Sequence, residues 1–315
     1  MLLVFATQAG AQPATGSLGV RWNPGAADCE ATPQPPLQVH AYEPHTFILR
    51  QSPCAHFEAN FLYLLVGSER ALLIDTGAIA DPAQMPLAST VLGLLPEGET
   101  RLPLVVAHSH GHSDHDAGDA QFTGLPSVEI VPSDLEGMTS YFGFDHWPEG
   151  VVRLDLGGRV VHVIPAPGHH RSHVLFYDER TGLLFTGDYL LNGRLLVDDA
   201  AVYHASAERV ARYFETLPVT HILGGHIERD AQDQLYPSGS RHHPDEGRLE
   251  LPKSDLSAMP AALAAFNGFY TQHGRLVVVH PLRMLMVFAL GGLVALSLVG
   301  WGLLRWMRRR RRASA

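Results

Sequence analysis

From Leu102 to Ala107 the chain is almost wholly apolar, and three residues later it presents His110, His112, Asp114 and His115 within six positions. An apolar run of this length reads as a buried strand. The stretch Ala117-Gly118-Asp119-Ala120 that follows reads as the first turn of a helix. A loop at the end of a buried strand is where open α/β sheets place their chemistry, so the fold must bring that sheet edge to an accessible surface. Imidazole and carboxylate together suit zinc, and also iron or manganese. With 19 His in the chain, one pair at this spacing would carry little weight. His-x-His-x-Asp-His directly after a strand is a stricter pattern, and we read it as a metal-binding loop rather than a solvated His-rich one.

Four other positions share that context, a polar ligand type at the C-terminal end of an apolar run: Asp75, His169, Asp188 and His226. His169, Asp188 and His226 each follow a glycine, and Asp75 is followed by Thr76-Gly77. Small residues let the backbone turn tightly beside a crowded site. Strands of one sheet end near one another, so ligands spread over about 150 residues can converge.

These stretches resemble the metallo-β-lactamase superfamily. Its five signature motifs are matched in order by Leu73-Ile74-Asp75-Thr76-Gly77, His-x-His-x-Asp-His at 110–115, Pro-Gly-His at 167–169, Gly-Asp at 187–188 and Gly-Gly-His at 224–226. The match covers roughly 37–230, and the combination is far more specific than any single motif. The resemblance implies an α/β fold, a four-layer αββα sandwich with its site along one edge of two sheets. It implies two metal ions, zinc first and iron or manganese as alternatives. His110, His112 and His169 would hold one, Asp114, His115 and His226 the other, and Asp188 would bridge them. Asp75 would orient a ligand. Asp114 would be the catalytic proton acceptor beside a hydroxide shared by the two ions. The bridging Asp188 is similar to glyoxalase II-like thioesterases and lactonases and unlike the true β-lactamases. His112, in place of Glu, disfavours flavodiiron redox chemistry. The expected reaction is hydrolysis of an ester-like bond in a small molecule, such as a thioester or lactone. A mononuclear iron dioxygenase of the persulfide type, and β-lactam or phosphodiester hydrolysis, stay open as alternatives.

Other histidines carry weaker readings. His173 has a place where relatives of glyoxalase II often carry a non-ligand His, and a structural role is favoured over substrate contact. His108 and His170 adjoin ligands, and His242-His243 reads as surface loop. Tyr189 is a candidate substrate contact, because some lactonases use a Tyr near this place.

The remaining patterning predicts β-strands over 37–42, 46–50, 60–66 and 71–74, then helices alternating with strands. Helices are predicted over 82–94, 206–217 and 257–272. The aromatic stretch 138–150 reads as an irregular loop, either a flap over the substrate or simple packing. Specificity is assigned to that loop and to 230–255. The predicted organisation is a leader and irregular lead-in over 1–36, a catalytic domain over 37–255, a helix and connector over 256–283, a transmembrane helix over 284–304 and a basic tail over 305–315.

The segment 284–304 is 21 residues without a charge. As a helix it would be about 31 Å long, enough to cross a bilayer core. Trp301 and Trp306 stand near one end as interfacial anchors do, and Arg305 and Arg308 to Arg312 follow. The positive-inside rule then puts the tail in the cytoplasm and the body on the periplasmic or extracytoplasmic side. Met1–Gln12 is apolar, and Ala9-Gly10-Ala11 resembles a signal-peptidase site, but the basic start of a leader is missing. Seven of the 23 Lys and Arg lie beyond Pro281 with no acid among them, so 16 basic residues face 32 acidic ones in the rest of the chain. A body so acidic repels polyanions, which argues against a nucleic-acid partner. The one lysine, Lys253, lies outside every motif, so Schiff-base chemistry is not expected. Cys29 and Cys54, the only cysteines, have no metal-ligand spacing, and either a disulfide or two thiols fits them.

Overall fold

The computed structural model describes residues 13–98 and 101–313. The leader expected over Met1–Gln12 lies outside the described residues. The chain begins with β1 (Leu37–Glu43), β2 (Thr46–Gln51), β3 (Phe61–Val66) and β4 (Ala71–Ile74), an antiparallel meander. Next come α1 (Leu87–Leu94), β5 (Leu104–Ala107), α2 (Ser113–Asp116), β6 (Val128–Ile130) and α3 (Leu135–Phe142). The second half runs β7 (Val152–Asp155), β8 (Val160–Pro165), β9 (Val174–Asp178), β10 (Leu183–Gly187), β11 (Arg194–Leu196), α4 (Ala200–Tyr213), β12 (His221–Gly224), β13 (Glu250–Leu251), α5 (Lys253–Ala264), β14 (Tyr270–His273), β15 (Leu276–Val279) and α6 (Pro281–Ala313). Strands β1 to β6 form one sheet in chain order. The second sheet has the order β13-β12-β10-β9-β8-β7, and a three-stranded sheet has the order β11-β15-β14.

Period-2 alternation explains the layering. On β3, Phe61, Tyr63 and Leu65 face the second sheet, while Leu62, Leu64 and Val66 pack with Leu87 and Val91 of α1. On β9 and β10, Phe176 and Phe185 turn to the first sheet, and Leu175, Tyr177 and Leu184 turn to α4 and α5. The Tyr63 and Phe185 rings meet between the sheets with centroids 4.6 Å apart. The result is the expected αββα sandwich. Both faces of each sheet are covered, which is why the central strands read as continuous apolar runs.

Several boundaries differ from the sequence reading. The 138–150 stretch is not wholly irregular, because its first part belongs to α3. Asp134 caps that helix by accepting from the Gly137 amide, and Met138 and Phe142, four apart, fill the core between the sheets. Gly143, at φ 75, ends it. The helix predicted over 257–272 stops at Ala264, and Tyr270 belongs instead to β14. Apolar residues spaced as on a helix continued past the Asn267-Gly268 turn, so periodicity alone overran the end. Helix α4 starts earlier than predicted, at Ala200, where Asp199 accepts from the Ala201 and Val202 amides. Helix α1 starts later, at Leu87, behind Pro86. The division drawn after residue 255 is crossed by packing: β15 pairs in parallel with β11, and Leu256, Met259 and Leu263 join the core under α4. The lead-in is not detached either, since Trp22 is buried against Phe61.

Cys29 and Cys54 are disulfide-bonded. The bridge ties the lead-in to the 52–60 loop, which flanks the functional site. A loop of this length implies about 3 kcal/mol of stabilisation.

Candidate metal centre

The loop after β5 starts at the sheet edge where β4 also ends, because β4 and β5 pair in parallel with Ile74 opposite Ala107. In the second sheet, β10 and β12 are likewise parallel, with Gly187 opposite Gly224. Their next polar residues, Asp188 and His226, therefore emerge side by side and face the His-rich loop across the sandwich.

The seven expected ligands fall into two groups. In the first, His110 Nε2 lies 2.8 Å and His169 Nε2 3.2 Å from His112 Nδ1. In the second, His115 Nε2 is 3.2 Å from Asp114 Oδ2 and 3.5 Å from Asp188 Oδ1. His226 Nε2 is 3.5 Å from Asp114 Oδ2 and 3.2 Å from Asp188 Oδ1. Asp188 turns its other oxygen to the first group, with Oδ2 3.6 Å from His169 Nε2.

The surrounding hydrogen bonds decide which ring nitrogens are free. Asp75 Oδ2 accepts from His115 Nδ1 at 2.9 Å. The Leu196 carbonyl accepts from His169 Nδ1 at 2.9 Å, and the Glu58 carbonyl accepts from His226 Nδ1 at 2.7 Å. Each of these rings is thereby fixed with its Nε2 lone pair aimed into the cluster. Acceptors then face acceptors: two imidazole lone pairs look at the oxygens of Asp114 and Asp188. His115 Nε2 and Asp188 Oδ1 are buried without a hydrogen-bond partner. That arrangement demands positive charge at the centre, and nitrogen and carboxylate donors are what borderline divalent ions take. The residues fit metal ions.

The electrostatics agree. Burial pushes His115 and His226 down, but the carboxylates of Asp75, Asp114 and Asp188 outweigh it for His115, and those of Asp188 and Asp114 for His226, holding both well above the usual imidazole value. Burial raises Asp114 and Asp188, yet His115 and His226 outweigh it and keep both below the ordinary carboxylate range. In the other group, burial holds His110 and His169 below the imidazole value.

Asp75 lies beside the second group, bonded to His115. It takes a left-handed backbone at φ 63, is fully buried, and its Oδ1 accepts from the Ser109 amide at 2.7 Å. It thus fixes both the loop backbone and the His115 ring. His173 is buried and stacks on His110 with centroids 4.8 Å apart; neither of its ring nitrogens has a partner. It lies against His110 and belongs to neither donor group. Tyr189 does not face the cleft. It is fully buried with its ring 5.3 Å from that of Tyr203, so in this structure core packing replaces the expected substrate contact. His108 bonds Asp119 at 2.9 Å, away from the cluster. His170 lies at the rim, its ring 4.8 Å from that of His112, and burial lowers its pKa to about 4. His243 pairs with Glu246 and stacks on Tyr236 in a different region. That region lines a cavity of about 1270 Å³ that contains none of the seven ligands. Cavity size is therefore a poor guide here, and the donor geometry locates the site.

Sequence reasoning missed Asn60. Its Nδ2 donates to Asp114 Oδ2 at 3.2 Å and lies 3.5 Å from His226 Nε2. It precedes a strand rather than ending one, so the rule that found the other residues passes over it. The carbonyls of Glu58 and Leu196 were missed for a simpler reason: backbone groups leave no mark in a sequence. Gly225 is required by space, since a Cβ there would sit 2.7 Å from Asp188 Oδ1.

Comparison with known proteins bears on this geometry. The Metallo-beta-lactamase superfamily profile matches residues 57–226, from the loop before Asn60 to the last histidine of the cluster. The chain belongs to this superfamily. Hydroxyacylglutathione hydrolase of Methylobacillus flagellatus is 28% identical over 236 residues, covering 70% of this chain and 86% of that protein. The Aeromonas hydrophila protein of the same name is 29% identical, with 57% of its length matched. The acyl-coenzyme A thioesterase MBLAC2 of Gallus gallus is 24% identical over 58% of this chain and 77% of its own. Among solved structures, the metallo-beta-lactamase from Pontibacter korlensis aligns with TM-score 0.49 and 18% identity, covering 73% of this chain and all of that one (100%). Within this chain the matched span contains all seven clustered side chains, Asn60 and β11, while α5, β14, β15 and α6 follow it.

Proposed function

We propose that this chain hydrolyses an ester-like bond in a small molecule, a thioester or a lactone, with two divalent ions, zinc in the first instance. The observation that carries the reading is the division of the Asp188 oxygens between two donor groups. His110, His112 and His169 would hold one ion, Asp114, His115 and His226 the other, with Asp188 between them. Bound there, such ions supply Lewis acidity, polarising the substrate oxygen and lowering the pKa of water. The protein's own part is positional and protonic. Asp114 Oδ2 accepts from Asn60 Nδ2, which would hold the carboxylate in place to receive the proton of the attacking water. Asp75, Leu196 and Glu58 fix the rings of His115, His169 and His226, so little reorganisation accompanies the reaction. The names of the Methylobacillus and Gallus relatives, both thioester hydrolases, support the thioester arm.

Helix α6 is proposed to cross a membrane. It has 27 apolar-rich residues, Pro281–Met307, with mean hydropathy 2.2 in its most apolar window and none of that window buried. The basic tail supports a cytoplasmic end for the helix, with the catalytic body on the extracytoplasmic side. Carbonate extraction and protease accessibility in intact cells test this topology.

The central test is a panel of thioester, lactone, phosphodiester and β-lactam substrates on purified protein, run beside elemental analysis. Two zinc per chain with thioester or lactone turnover is the expected result. One iron per chain would favour the dioxygenase reading, and no turnover on any substrate would end the hydrolase reading.

A further inference from the structure

The point where α6 leaves the body is tied directly to a metal-ligand candidate. His169 Nδ1 donates to the carbonyl of Leu196, the last residue of β11, at 2.9 Å. Leu196 pairs in register with Val279, the last residue of β15, and the Val197 amide donates to the Val279 carbonyl at 2.8 Å. Only His280 separates Val279 from the first residue of α6. One hydrogen bond and one ladder step therefore separate the His169 ring from the base of the helix, on the order of 10 Å. Because β11 and β15 are parallel, both strands finish at that same end, beside the cluster rather than on the far side of the body.

The helix base is fastened there. The His280 amide donates to the Phe269 carbonyl at 2.9 Å, and Arg283 Nη1 donates to the Gly268 carbonyl at 3.2 Å. Around this junction Phe269, Tyr270 and Leu282 are 44%, 41% and 64% exposed. Exposed aromatics at the foot of an apolar helix are what the headgroup region of a bilayer accommodates. A third exposed aromatic, Phe57, adjoins Glu58, whose carbonyl holds His226, so the cluster also has an apolar side chain at its margin. The acidic body would not be drawn to an anionic lipid surface by charge, so the helix and this aromatic collar hold it there.

We propose that the metal cluster opens at the bilayer surface and that the substrates are membrane-resident acyl esters or thioesters, the acyl chain in the lipid and the ester group presented at headgroup level. This rests on the hydrolase reading and on α6 as a membrane span. Water adds to the acyl carbonyl and the carbon–oxygen or carbon–sulfur bond breaks. The products are a fatty acid that stays in the bilayer and an alcohol or thiol carrying the proton.

The test uses the full chain in phosphatidylcholine vesicles. Fluorophores are attached at Asp198→Cys, two residues beyond Leu196, and at Glu69→Cys in the β3–β4 turn at the opposite sheet edge. Nitroxide-headgroup lipids then report proximity. The expected result is at least threefold stronger quenching at 198 than at 69. Equal or reversed quenching would overturn the placement, and failure to co-sediment with carbonate-washed vesicles would overturn both the span and the placement. In parallel, a rigid helical spacer of about 20 residues, about 30 Å, is inserted between His280 and Pro281. Turnover of a vesicle-borne palmitoyl thioester should fall at least tenfold, while a water-soluble acetyl thioester changes less than twofold. Equal effects on the two substrates would refute the lipid substrate class. If neither substrate turns over while the quenching pattern holds, the hydrolase reading fails, and the membrane-proximal placement stands apart from it.

Discussion

Asp188 and His169 meet at 3.6 Å through Asp188 Oδ2, while Asp188 Oδ1 lies 3.2 Å from His226. A single carboxylate thus couples a three-histidine group to a mixed histidine–aspartate group. Neither group would demand the other's presence without it.

That coupling gives the first prediction. Asp188→Ala should lower bound metal from two ions per chain towards one, and kcat/KM by about a hundredfold or more. Elemental analysis and steady-state kinetics check it; a variant that keeps two ions and full turnover would remove the bridging role.

Asp75 acts on the metal groups through His115 and the Ser109 amide. Asp75→Asn keeps the shape and tolerates the left-handed backbone. The substituted amide cannot serve as the same charged acceptor. Metal affinity is expected to fall about 10- to 100-fold with the far-ultraviolet circular dichroism unchanged. Competition against a chelator of known affinity measures it.

Asn60 touches both Asp114 and His226 but offers no strong ligand of its own. Asn60→Ala should reduce kcat about tenfold while the metal content stays at two, because the carboxylate loses its locating donor. Loss of metal together with activity would instead assign Asn60 to holding the ion.

Far from the site, Glu43 offers a pH test. Burial raises its carboxyl, but bonds from Thr46 and Arg180 outweigh it and leave the pKa below its ordinary value of 4.5. A carboxylate depressed in the folded state contributes stability above its unfolded pKa and loses it as pH falls through the folded one. Wild type should therefore exceed Glu43→Gln in urea midpoint at neutral pH, and the gap should close below about pH 4. Denaturation curves across that range check it; a gap independent of pH would point to packing rather than charge.

Much of the site was legible because its residues obey one rule. His110, His112, Asp114, His115, His169, Asp188 and His226 all follow apolar runs, and glycine or a tight turn marks several of them. Asp75 obeys the same rule. The sandwich was legible too, because strands covered on both faces must be apolar throughout, as Phe61–Val66 is. The helix ends were less so: α5 stops at Ala264, ahead of the Asn267-Gly268 turn, although apolar spacing continues to Tyr270.

The sequence by itself determined the ligand types, their order and the apolar segment at the C-terminal end, since these depend on local composition and on strand-to-loop transitions. The grouping of the ligands about Asp188 was implied by the family resemblance rather than by the residues alone; only the tertiary structure decided that Asn60 supports Asp114 and that Tyr189 turns into the core. It also joined Leu196 to Val279, and so the site to the base of α6. The physical reason is that such relations arise from register between strands far apart in the chain and from backbone carbonyls. Neither has a residue-level signature.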